Sequence, residues 1–135
     1  HLRSKLETRY GYRFKTNSDT EVLMVGLGYE GRRFVSKLNG IFSFVFVDLK
    51  DYSILAARDP FGVKPLYYCS AKSSYYFCSE SKPLVKYRNL SLDRSNLAML
   101  LSSGTANIGK SIYNELFSVK PNSIIETATS CAANS

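Results

Sequence analysis

Apolar and polar positions change their spacing along the chain, and the changes mark out elements. Leu2 and Leu6 stand four apart in a polar stretch, which predicts a helix over residues 2–8. Ser18 followed three residues later by Glu21 has the spacing of a helix capping box, so a second helix is predicted to begin there. Leu23 and Leu27, then Phe34, Val35 and Leu38, continue at helical spacing. Gly26, Gly28 and Gly31 weaken the middle by roughly 1 kcal/mol each relative to alanine, so two short helices fit the pattern as well as one long one.

Beyond residue 40 the pattern shortens. Ile41 to Val47 is apolar apart from Ser43, which predicts a strand covered on both faces. Lys50-Asp51-Tyr52 is too short for a crossover, so Ile54 to Ala57 is predicted to return antiparallel. Asp59-Pro60-Phe61-Gly62 fits a type I turn position by position. Leu66 to Ser70 and Tyr75 to Cys78 form a second predicted antiparallel pair, turning at residues 71–74. A short helix is predicted over Asp93 to Leu101, and Thr127 to Ser135, with no large apolar residue, is expected to be a mobile end.

Composition narrows the class. With 135 residues, 44% hydrophobic and 13% aromatic, the chain can bury the core of one domain. No apolar run approaches the roughly 20 residues of a membrane span, and a soluble protein with no membrane partner is the expectation. Cys69, Cys78 and Cys131 form no Cys-x-x-Cys pair, and His1 is the only histidine, so a structural zinc site lacks ligands. Reduced thiols in a cytoplasmic protein are expected, with Cys69 and Cys78 as small core residues rather than a disulfide. The net charge of +7 is mostly scattered, although residues 3–15 hold five of the eighteen basic side chains. Tyr75-Tyr76-Phe77 lacks the glycine-and-basic signature of an RNA-recognition strand, so no nucleic-acid partner is expected.

One pattern competes with the helical reading. Val22 to Val25, then Gly26-x-Gly28-x-x-Gly31, a strand to Val47 and finally Asp48 follow the order of a dinucleotide-binding unit. Two observations count against it. The capping box places Val22 to Val25 inside a helix, and the hairpins after Asp48 leave no helical crossover for a parallel sheet. Asp48 is otherwise a solvated strand end, and the glycines a pliable join between helices.

Four ordered segments resemble a known family. They are Ser18-Asp19-Thr20-Glu21-Val22-Leu23, Leu38-Asn39-Gly40-Ile41-Phe42-Ser43-Phe44, Ala57-Arg58-Asp59-Pro60-Phe61-Gly62-Val63-Lys64-Pro65-Leu66-Tyr67-Tyr68 and Ser79-Glu80-Ser81-Lys82-Pro83-Leu84. In order and spacing they are similar to the second half of the class II glutamine amidotransferase domain of asparagine synthetases. Phosphoribosylpyrophosphate amidotransferases and glucosamine-phosphate synthases share part of the pattern. The resemblance implies an α+β fold, part of a four-layer αββα sandwich of the Ntn-hydrolase type with antiparallel sheets. It assigns residues 1–90 to the C-terminal half of the amidotransferase domain, 91–126 to the approach to a synthetase domain, and 127–135 to a tail.

In that family an amino-terminal cysteine attacks the side-chain amide of glutamine, and ammonia passes to an aspartate activated by ATP. The resemblance therefore implies glutamine as ligand, a synthetase domain of the same chain as partner, ATP and magnesium for that domain, and room for a homodimer in the parent. The chain opens at His1, and the three cysteines are internal, so the expectation is a fragment without its nucleophile, inactive alone. One family site residue carries over. Asp19 matches the aspartate that contacts the α-amino group of glutamine, a role that suits a carboxylate; as a bare sequence feature it is also an acid in a first helical turn. Glu21 is assigned to capping, and Arg58, Asp59 and Lys64 to turn and structure. A noncatalytic interaction domain remains an alternative alongside the dinucleotide unit.

Overall fold

The computed structural model describes residues 1–71, 74–105 and 109–127. Of the expected mobile end at 127–135, Thr127 is the last residue of a strand, and residues 128–135, with Cys131, lie outside the described residues, as does the hairpin tip at residues 72–73. The chain divides into two compact units, His1–Asn39 and Gly40–Ser135.

The first unit is helical. α1 spans Leu2–Tyr10 and ends where Gly11 takes a left-handed conformation and donates its N–H to Glu7 O at 2.9 Å. α2 spans Asp19–Glu30, and α3 is the single turn Arg32–Val35. Gly31, at φ +56°, makes the break, so of the two arrangements open to the sequence the chain adopts the pair of helices. Leu6, Val25, Leu27 and Phe34 are buried. Tyr10 stacks on Tyr29 with centroids 4.2 Å apart and donates its hydroxyl to Glu30 at 3.1 Å, which ties α1 to α2.

The second unit carries two antiparallel sheets. β1 (Ser43–Val47), β2 (Ile54–Arg58) and β6 (Ser123–Thr127) form the first, in the order β1-β2-β6. β3 (Tyr67–Ala71), β4 (Ser74–Cys78) and β5 (Phe117–Ser118) form the second, in the order β4-β3-β5. The predicted hairpins β1-β2 and β3-β4 are present, with Val45 opposite Ala56 and Tyr68 opposite Phe77. α4 (Ser81–Arg88) follows β4, and α5 (Arg94–Ser103) is capped by Asp93, whose carboxylate accepts the N–H groups of Ser95 and Asn96.

Alternation along the strands builds layers. Tyr68 and Phe77 turn to one face of the second sheet and pack with Ala56 and Ile125 of the first, around Leu66 and Val119. Tyr67, Cys69, Tyr76 and Cys78 turn to the other face, where Leu84 and Val85 of α4 cover them with Leu90, Tyr113 and Leu116. The order sheet, sheet, helix is three layers of the expected four, and the α+β class with antiparallel sheets is observed.

One expectation is corrected. The strand in the apolar run begins only at Ser43 and is an edge strand, with Ile41, Val45 and Val47 exposed by 60%, 37% and 45%. An unbroken apolar run records that faces want cover; it does not say which element supplies it. Residues 91–126 supply α5, β5 and nearly all of β6, and each sheet takes one strand from them.

Candidate functional site around the start of α2

Ser18 caps α2, its hydroxyl accepting the Thr20 N–H at 3.1 Å. Glu21 does not complete the expected reciprocal box. Its Oε1 accepts the Lys15 N–H at 2.9 Å, and its Oε2 accepts the Thr16 N–H at 2.8 Å and the Thr16 hydroxyl at 2.6 Å. The Tyr12 hydroxyl adds a longer bond of 3.4 Å to Oε1. The Ser18 N–H, which a capping box would send to Glu21, goes to Thr16 Oγ1 at 3.2 Å. The donors from Lys15 and Thr16 outweigh the desolvation of the Glu21 carboxyl and hold its pKa down at about 2.

Asp19 is the first residue of α2 and is exposed. Because Ser18 has taken the capping role, the Asp19 carboxylate has no hydrogen-bond partner among the described residues. Its place at the positive end of the helix dipole suits a negative charge. No other residue carried over from the family motif stands beside it, so the sequence-derived site is this single exposed acid on a tightly held helix start.

Arg58 and Asp59 organise a different corner. The Asp59 side chain is fully buried, with Oδ1 accepting the Phe61 N–H at 2.9 Å and the Val63 N–H at 3.5 Å. Its backbone receives the Gly62 N–H at 3.1 Å, which closes the predicted turn, and the Asn122 N–H at 3.0 Å. Burial raises the Asp59 pKa, but the backbone donors of Phe61 and Val63 outweigh it and the net shift is downward. The Arg58 guanidinium donates to Lys64 O at 2.8 Å, Gly62 O at 2.5 Å, Val119 O at 2.8 Å and Ser118 Oγ at 3.2 Å. Arg58 thereby joins the turn to β5, which gives its structural assignment a specific partner. The signal lay in the residue type, since only a five-donor fork satisfies so many carbonyls at once.

The other candidates separate. Val22 to Val25 lie within α2, so no strand precedes the glycines and the dinucleotide unit is overturned. Gly26 serves packing: a Cβ there would stand 2.2 Å from Phe34 Cζ. Asp48 closes the β1-β2 turn by accepting the Lys50 N–H at 2.9 Å. Cys69 and Cys78 are free thiols; Cys69 is buried, and burial pushes its pKa up, the opposite of an activated nucleophile. Tyr76 and Phe77 pack into opposite faces of the second sheet, so β4 presents no continuous aromatic stripe. Among the described residues no three His, Cys, Asp or Glu side chains come together as metal ligands, and no helix is long and apolar enough to cross a membrane.

Comparison with known proteins covers almost the whole chain. Asparagine synthetase [glutamine-hydrolyzing] 1 of Bacillus subtilis is 41% identical over 102 residues, covering 75% of this chain and 16% of the relative. Asparagine synthetase [glutamine-hydrolyzing] 3 of the same organism is 35% identical over 123 residues, covering 89% of this chain and 20% of the relative. The Zea mays asparagine synthetase is 43% identical over 84 residues, covering 62% and 14%. Among solved structures, the glutamine phosphoribosylpyrophosphate amidotransferase of B. subtilis aligns with a TM-score of 0.49 and 21% identity over 96% of this chain and 26% of that one. The chain thus spans between 16% and 20% of the length of the two B. subtilis synthetases it matches. The family described as glutamine amidotransferase domain matches residues 1–134, well past Leu84, where the last of the four motif segments ends, and the chain belongs to that family.

Proposed function

We propose that this chain is the part of a glutamine-dependent amidotransferase that holds the α-amino group of glutamine, with Asp19 as its acceptor. One observation carries the reading: Asp19 is an exposed carboxylate without a hydrogen-bond partner among the described residues, on a helix start whose capping is done by Ser18. A carboxylate that neither caps its helix nor pairs with a neighbour is ready to take a charge-assisted hydrogen bond from an ammonium. The identities to glutamine-hydrolysing asparagine synthetases support the choice of ligand.

The parent protein, on this reading, hydrolyses glutamine and delivers ammonia to an ATP-activated aspartate or related carboxylate. It works in the cytoplasm and has room for a homodimer. ATP and magnesium, on the same reading, belong to a synthetase domain of the same protein. On this reading Asp19 holds the ammonium end of glutamine, and Cys69 stays buried outside the reaction.

The test is calorimetric titration of L-glutamine into the protein expressed from its complete reading frame. Asp19→Asn keeps the shape and removes the charge, and is expected to weaken binding by about tenfold or more. Unchanged affinity would remove Asp19 from the site.

A further inference from the structure

The Glu21 carboxylate makes more bonds than a helix cap requires. A capping box uses one backbone donor, whereas Glu21 accepts from Lys15 N, Thr16 N, Thr16 Oγ1 and Tyr12 Oη. None of these donors belongs to α2. All come from the segment that leads into it, so the carboxylate draws that segment back onto the first helical turn. Thr16 then passes the constraint on: its hydroxyl donates to Glu21 and accepts the N–H of Ser18, whose own hydroxyl accepts from Thr20. The backbone on both sides of Asp19 is therefore tied to a single side chain two residues away. The same segment is held at its other end, where Tyr12 packs edge-on to Phe14 at 5.0 Å and the Arg3 guanidinium lies 4.4 Å from the Phe14 ring centre.

We propose that Glu21 is a positioning residue for glutamine, holding residues 15–18 so that Asp19 sits at one place for the substrate ammonium; this rests on the reading of Asp19 given above. Helix ends ordinarily fray, and an acceptor that moved with a fraying end would lose much of its preference for a correctly placed donor. Glu21 does not touch the ligand. It acts through Thr16 and Ser18, and its removal is read in how well the protein recognises the α-amino group.

The experiment compares L-glutamine with 4-carbamoylbutanoate, the same molecule without the α-amino group, titrated into the protein expressed from its complete reading frame. Glu21→Gln replaces one acceptor oxygen with an amide NH₂ that faces N–H donors. It is expected to reduce the preference for glutamine by about threefold to tenfold while leaving the affinity for the analogue unchanged. Asp19→Asn abolishes the preference, and the double variant is no worse than Asp19→Asn alone, because both changes act on one contact. If Glu21→Gln keeps the wild-type preference, or weakens both ligands equally, Glu21 is only a structural residue and the proposal fails, while Asp19→Asn still reports on Asp19. If Asp19→Asn keeps the preference, the reading of Asp19 fails and this proposal falls with it. Should Glu21→Gln not fold by circular dichroism, Thr16→Val decides in its place, since it removes only the hydroxyl bridge between Glu21 and Ser18.

Discussion

Gly26 of α2 and Phe34 of α3 are in such close contact that a Cβ on Gly26 would stand 2.2 Å from Phe34 Cζ. The ring is 1% exposed, so it fills the space that the missing side chain leaves and has little room to withdraw. Gly28, two residues on in the same helix, would meet nothing within 4 Å.

The two glycines should therefore respond in opposite directions to alanine. Gly28→Ala is expected to stabilise by about 0.5–1 kcal/mol, the ordinary helix gain. Gly26→Ala forces the buried ring to move and is expected to destabilise by about 1–3 kcal/mol in spite of the same gain. Thermal melts of the two variants check this, and equal shifts would contradict the packing.

Acid should weaken the entry to α2 through Glu21. Its pKa falls from an ordinary 4.5 to about 2 in the folded chain. A carboxylate with a lowered folded pKa contributes stability above the unfolded value and loses it as the pH falls through the folded one. The difference in melting temperature between wild type and Glu21→Gln is expected to be full above pH 5 and to shrink between about pH 4.5 and 2. A difference that stays constant over that range would show that the carboxylate is not held by these donors.

Arg58→Lys keeps the charge and loses the fork. A lysine cannot reach the carbonyls of Gly62, Lys64 and Val119 together, so some are left without donors. A loss of about 2 kcal/mol in denaturant unfolding is expected. A loss as small as that of an exposed Arg→Lys change would mean that the turn holds β5 without it.

Thiol titration should separate the cysteines. In a Cys131→Ser background, Cys78 is expected to react with a disulfide reagent in the native protein, whereas Cys69 reacts only on unfolding, being 1% exposed with its pKa raised. Equal rates would contradict the packing of α4 over the second sheet.

What the sequence determined by itself was local. The cap at Ser18, the turn at Asp59-Gly62, the hairpin pairs and the short helix near Asp93 are each settled within a few residues by local spacing and by backbone donors and acceptors that must be satisfied, and each was legible. Asp19 was singled out only through the family motif, because an acid in a first helical turn looks alike whether or not it binds a ligand. The tertiary structure decided what depends on distant partners. It sent the Glu21 carboxylate to Lys15 and Thr16 rather than to Ser18, and set Phe34 over Gly26. It drew β5 and β6 from the end of the chain to β3 and β2, where Phe117 meets Tyr68 and Ile124 meets Ala57. Those pairings follow from which apolar faces can bury one another, and that competition is resolved only when the whole chain is in place.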